Sequence, residues 1–162
     1  METSSVSYSS FSVTRFRRVQ VDLLEPIDRL LSRVGVREYD VPLGITALDS
    51  CKAEVYEVKI RSWFYDRPLA SVEEACLHLE CGERFATLRE FLSWVAVRPG
   101  IARVGAYTIW GSQCRNIVPV VRNKGVNDIS DLRVSCEHVK EALRIQRIPT
   151  VVRCVAQHSV AA

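Results

Sequence analysis

Apolar and polar positions alternate most regularly from Cys51 to Tyr65, where Tyr56, Val58, Ile60 and Phe64 share one parity and Glu57, Lys59, Arg61 and Trp63 the other. That period of two predicts a long strand, ended by Asp66-Arg67-Pro68. A shorter candidate strand lies at Thr14–Val21, where basic residues interleave with Phe16, Val19 and Val21. From Pro99 to Gly125 two apolar, β-rich segments are joined by Gly111-Ser112, the best hairpin candidate in the chain. In its first arm Ala102, Val104, Ala106, Thr108 and Trp110 fall on one face and Arg103, Gly105, Tyr107 and Ile109 on the other. Pro119 in the second arm predicts an edge strand or a bulge, because proline brings no amide to a ladder. Thr150–Val155 reads as a closing strand.

Helical spacing appears elsewhere. Leu23, Leu24, Ile27, Leu30, Leu31 and Val34 predict a helix over 24–34, with Pro26 tolerated in its first turn and Gly35 placed to end it. Ser71-Val72-Glu73-Glu74 and Thr87-Leu88-Arg89-Glu90 both have capping-box form. Behind them, Val72, Ala75, Cys76 and Leu79, then Leu88, Phe91, Leu92 and Val95, predict helices 72–81 and 88–97. After Asn127, Ile129, Leu132, Cys136, Val139 and Leu143 recur at steps of three and four. With Glu137–Lys140 and Glu141–Arg144 at helical spacing, they predict the longest helix at 128–146.

No repeat or linker divides the chain. Its 162 residues suffice for one domain with a real core. Together the elements predict a single α+β domain over 15–158 behind a disordered, Ser-rich tail at 1–14. Its sheet, mixed or antiparallel, would have four to five strands and carry three to four helices on one face.

Overall charge changes this picture little, at +3. Its distribution changes it more. Between Glu90 and Asp128 there is no acidic residue, while Arg98, Arg103, Arg115, Arg122 and Lys124 are basic. The preceding stretch, Ser71–Glu90, opposes five acids to two bases. Eighteen of the 22 basic residues are arginine, the side chain that grips phosphate or carboxylate bidentately. No apolar run is long enough for a membrane span. The N-terminal stretch lacks the apolar centre of a secretory signal, and a tail is favoured over a transit peptide. Six cysteines then predict free thiols in a reducing, cytoplasmic setting.

Candidate chemistry thins out on inspection. Cys76 and Cys81 are five apart on a predicted helix and point about 140° away from each other, and Cys136 and His138 splay likewise. No metal site or cofactor is therefore expected. His78-Leu79-Glu80 matches half of a nucleobase-deaminase signature, but the chain has no Pro-Cys-x-x-Cys to complete the zinc site. Cys114 beside Arg115 is the one thiol in suitably basic company, and no spacing selects a base for it. The chain reads as non-enzymatic.

What remains is basic and aromatic. Arg61 and Trp63 on the long strand, with Arg103 and Tyr107 on the hairpin, would make one Arg/aromatic sheet surface if the strands are neighbours. Arg115, Arg122 and Lys124 lie around it, and Arg15, Arg17 and Arg18 form a basic arm. Single-stranded nucleic-acid surfaces combine such cations with stacking platforms. The sequence thus predicts a non-enzymatic binding protein that acts through this basic, aromatic sheet face, with single-stranded nucleic acid as its candidate ligand. The alternative is a protein-interaction or assembly subunit, coat-like or accessory, with a protein partner or a homo-oligomer, since Tyr, Trp and Arg also concentrate at protein interfaces; a thiol- or zinc-dependent enzyme ranks behind both.

Overall fold

The computed structural model describes residues 11–47, 54–103, 105–125 and 130–154. In chain order, β1 (Phe11–Val13) and β2 (Arg17–Asp22) lead into α1 (Ile27–Val34), β3 (Val36–Tyr39), α2 (Leu43–Ala47) and β4 (Val55–Tyr65). Then come α3 (Val72–Cys76), β5 (Glu83–Phe85), α4 (Leu88–Val97), β6 (Ala106–Thr108) and β7 (Ile117–Asn123). β8 (Leu132–His138), α5 (Val139–Ala142) and β9 (Arg147–Arg153) follow, and 3-10 turns at Pro99–Arg103 and Trp110–Ser112 flank β6. Residues 1–10, 48–53, the hairpin position Val104, the expected cap Asn127 with Ile129, and Val155 lie outside the described residues.

The sheet is larger than the four to five strands expected. Nine strands join in it, seven of them in the order β1-β4-β9-β6-β7-β8-β3, with β2 beside β4 and β5 beside β9. It is mixed, because β3 runs parallel to β8 and β6 to β9 while the other pairs are antiparallel. Five α-helices accompany it among the described residues. They do not share one face. Val58 and Ile60 of β4 pack with Leu30, Leu31, Phe91 and Val95 of α1 and α4. Trp63 and Tyr65, of opposite parity, pack with Ala75 of α3 and Ala142 of α5. Both faces of β4 are therefore core, and its simple in-out pattern fails beyond Ile60.

Helix 88–97 forms as expected: the Thr87 hydroxyl accepts the Glu90 N–H and the Glu90 carboxylate accepts the Thr87 N–H. α1 starts later than expected, at Ile27, and ends at Gly35 with φ +84°, a conformation open to glycine without strain. Helix 72–81 stops at Cys76. Gly82, at φ +81°, redirects the chain into β5. The expected helix 128–146 is mostly strand β8. Leu132 and Val134 alternate with Arg133 and Ser135, and both apolar side chains enter the core. Leu132 and Cys136 satisfy a step of two as well as a step of four, and pairing with β7 and β3 on either side selects the strand.

The hairpin arms pair from Ala106↔Arg122 to Thr108↔Val120. Its tip is not Gly111-Ser112, however. Cys114 and Ile117 exchange backbone hydrogen bonds around Arg115, whose φ is +55°. Nor is β7 an edge strand, since β6 and β8 flank it. Ile109 donates to the Pro119 carbonyl at 2.9 Å, so the nitrogen of Pro119 faces the same way, past the end of β6. Pro149 repeats the device inside β9: its carbonyl accepts the Ala86 N–H at 3.0 Å, between β5 and β6. Each proline thus turns its missing donor toward a break in the neighbouring strand.

Ala86 fills that break together with Gly111, whose N–H donates to the Ala86 carbonyl at 3.1 Å. A Cβ at Gly111 would stand 2.2 Å from that oxygen, whereas one at Gly44 would meet nothing within 4 Å. Gly111→Ala should lower stability by roughly 1–3 kcal/mol, as overpacking does. Gly44→Ala, in a helix, should be neutral or gain up to about 1 kcal/mol. Denaturant midpoints of the two variants check both, and equal midpoints would contradict the close approach at Gly111.

Candidate functional site

Of the four side chains expected on an open sheet face, Arg61, Trp63 and Tyr107 are inside the protein and Arg103 is exposed. Arg61 is 8% exposed and Trp63 5%. The Arg61 guanidinium donates to both oxygens of Glu83, at 2.7 and 2.8 Å, and lies 4.2 Å from the Phe16 ring centre and 4.9 Å from that of Trp63. The Thr150 hydroxyl donates to Glu83 at 2.6 Å and accepts the Trp63 indole N–H at 3.1 Å. Burial alone would raise the Glu83 carboxyl, but Arg61, Thr150 and the Glu80 N–H hold it below its ordinary value of 4.5. Beyond this network, Phe11, Trp63, Tyr65 and His78 form an aromatic cluster. Burial, with the nearby charges of Glu74 and Glu83, pushes the Tyr65 hydroxyl up to about 12.

Tyr107 is likewise buried, its ring 4.8 Å from that of Phe91 and its hydroxyl donating to the Ile101 carbonyl at 3.0 Å. Neither aromatic can stack on a base without leaving the core. The physical reason is strand position. β4 and β6 are interior strands covered on both faces, and alternation along them separates two cores instead of core from water. No spacing or motif marks Glu83 as the partner of Arg61. Its one local signal is the Gly82 turn followed by the short apolar-polar stretch Glu83–Phe85.

The other expected cations are scattered. Arg103, Arg115 and Lys124 are exposed, at the end of the 3-10 turn, at the hairpin tip and beyond β7. Arg122 pairs with Glu137 across β7 and β8. Cys136 and His138 share a face of β8 instead of splaying, because they are two apart on a strand. Burial pushes the Cys136 thiol up to about 11, and the His138 ring accepts the Lys140 N–H at 3.2 Å. Among the described residues no group of three His, Cys, Asp or Glu side chains is placed to hold a metal ion.

Arg15, Arg17 and Arg18 do fall together, on and just before β2. Arg18 pairs with Glu57 at 3.0 Å, while Arg15 and Arg17 are exposed with no ion pair among the described residues. β2 pairs only with β4 among these residues. Leu23 donates to the Glu54 carbonyl at 2.9 Å, so Val21, Val19 and Arg17 also bond toward β4. The backbone N–H and C=O groups of Arg18 and Gln20 therefore face outward. Beside this edge lies a cleft of about 590 Å³, walled by β2, the following turn, α1 and α4. The sequence pattern missed it because Leu24 and Val97 look like continuations of helical core stripes, yet each is 63% exposed on its rim.

Compared with protein-family models, with curated proteins and with solved structures, the chain matches none.

Removing the Glu83 charge should leave buried Arg61 with only the exposed Glu80 carboxylate, at 3.6 Å, as counter-charge, at a cost of up to about 3–5 kcal/mol. Because the folded Glu83 value lies below 4.5, its contribution is complete above that pH and is lost as the pH falls through the folded value. Glu83→Gln should thus be less stable at neutral pH and lose less on acidification than the wild type. Parallel pH profiles of the denaturant midpoint would contradict this assignment.

Proposed function

We propose that the protein is a non-enzymatic binding module that captures an extended, acidic segment of a partner protein along the outer edge of β2. The observation that carries this is the edge itself, unpaired among the described residues: outward N–H and C=O groups at Arg18 and Gln20, bordered by Arg15 and Arg17, which make no ion pair among those residues. An extended peptide adds to such an edge through main-chain hydrogen bonds, and neighbouring pockets read its alternate side chains.

Charge favours an acidic partner over a second copy of this chain. Two β2 edges laid side by side would bring Arg17 and Arg18 against their own counterparts, and like charges across a strand pair repel. Exposed basic edges protect sheets from self-pairing for the same reason. Single-stranded nucleic acid would also meet these cations, but Trp63 and Tyr107, the stacking residues that interaction needs, are buried.

Gln20→Pro tests the edge, since it deletes an outward N–H while leaving the β2–β4 hydrogen bonds at Val19 and Val21. A fluorescein-labelled, Glu-rich extended peptide should bind the wild type by anisotropy, lose affinity with added salt, and bind Gln20→Pro weakly. Equal binding to the variant contradicts edge docking. Failure of the peptide to bind, with tight binding of a labelled single-stranded oligonucleotide at low salt, would establish the nucleic-acid alternative instead.

A further inference from the structure

The cleft beside β2 adds chemistry that the edge alone does not. In an antiparallel or parallel addition, residues of a docked strand that lie beside Val19 and Val21 project toward the same face as those residues. Val19 and Val21 are buried in the core formed with α1 and α4. β2 itself lines the cleft at Gln20 and Asp22, beside the outward edge, so a docked side chain on the helix side of the added strand comes over the cleft.

Its lining is apolar at the rim and cationic at the wall. Leu24, in the turn after β2, and Val97, at the end of α4, are its exposed apolar members. Ser93, one turn before Val97 on α4, lies between them and Arg89, so Arg89, Ser93 and Val97 form one row of the helix. Arg89 is 4% exposed and makes no ion pair among the described residues. Its Nη1 donates to the backbone carbonyls of Glu25 at 2.6 Å and Asp22 at 3.3 Å, and its Nε has no hydrogen-bond partner. A buried guanidinium without a counter-charge thus stands behind the turn that forms one wall.

Of the two acids in the lining, one is ion-paired and the other is held by a backbone N–H. Glu25 is held bidentately by Arg33, at 2.8 and 3.1 Å, and the Asp22 carboxylate accepts the Leu24 N–H at 2.8 Å. Arg29, on the exposed side of α1, is left with no ion pair among the described residues. Arg29, Arg33 and the buried Arg89 outnumber the carboxylates of Asp22 and Glu25, so an apolar rim beside a net positive wall selects an apolar side chain accompanied by a carboxylate.

We infer that this cleft is the specificity pocket of the β2 edge: it takes a large apolar side chain between Leu24 and Val97, with a neighbouring carboxylate of the same segment on Arg29. This rests on edge docking, and it names the segment's chemistry. The partner strand alternates or adjoins large apolar and acidic residues, and a uniformly acidic strand binds less well.

Three labelled peptides of about eight residues, a strand's length, separate the two claims. One carries leucine and glutamate in a threonine background, the second serine for leucine, the third lysine for glutamate. The Leu/Glu peptide should bind best, with about tenfold or more lost on either replacement, the scale on which pockets discriminate side chains. Val97→Asp and Leu24→Ser, both at exposed positions, should weaken the Leu/Glu peptide while leaving the serine peptide unchanged. Arg29→Glu should weaken the Leu/Glu peptide and improve the lysine peptide. If the Leu and Ser peptides bind equally and Gln20→Pro weakens both, the edge stands and the pocket is overturned. If Val97→Asp weakens binding and Gln20→Pro does not, the cleft binds without strand addition and the edge is overturned. Absence of binding by all three peptides contradicts both.

Discussion

Two carboxylates with no solvent-exposed side-chain surface, Glu83 and Glu90, set the terms for the rest of the structure. A buried charge is tolerated only when paired and hydrogen-bonded. Glu83 meets Arg61 and Thr150 on one face of the sheet. Glu90 meets Arg84 at 2.8 Å through both oxygens, with the Tyr56 hydroxyl donating at 3.0 Å, on the other. These bonds fix the short segment between the two acids from both sides. Within it Ala86 joins β9 to the turn at Gly111, and the Leu88 N–H donates to the Ser112 hydroxyl at 2.8 Å. The break between β5 and β6, the start of α4 and the placement of two interior prolines all follow from that segment.

Fixing α4 has a consequence at the far side of the sheet. Arg89 reaches from α4 to the turn after β2, and α1 packs along α4, so the end of β2 is held against two helices. The strand is secured from beneath and on its β4 side, while its outer edge stays uncovered by any described strand. A rigid edge with a preformed cleft spares a ligand much of the ordering cost that weakens binding to flexible surfaces. The same arrangement divides the side chains: the aromatic-rich interior holds the fold, and the arginines of β2 are exposed.

Local signals in the sequence carried the parts of this fold that local chemistry decides. The Thr87–Glu90 capping box, the Gly35 stop and the long alternation before Tyr65 correspond to α4, the end of α1 and β4. The errors share one cause, which is tertiary pairing. β8 carries a pattern that fits a step of two and a mixed step of three and four, and its neighbours decide between them. β3, β5 and β6 are three or four residues long, too short for any period to register. The candidate site was legible in part. Arg15, Arg17 and Arg18 stood out as a basic arm, but burial of Arg61, Trp63 and Tyr107 depends on which strands are interior, and no spacing encodes that.

Residue-resolved amide hydrogen exchange of the free protein is the most direct measurement of the open edge. Val19 and Val21, bonded toward β4, should be strongly protected, and Arg18 and Gln20, facing outward, should exchange at close to unprotected rates. Saturation with the Leu/Glu peptide should then protect Arg18 and Gln20 selectively. Equal protection of all four amides in the free protein would show the edge already covered and would contradict its assignment as a docking strand.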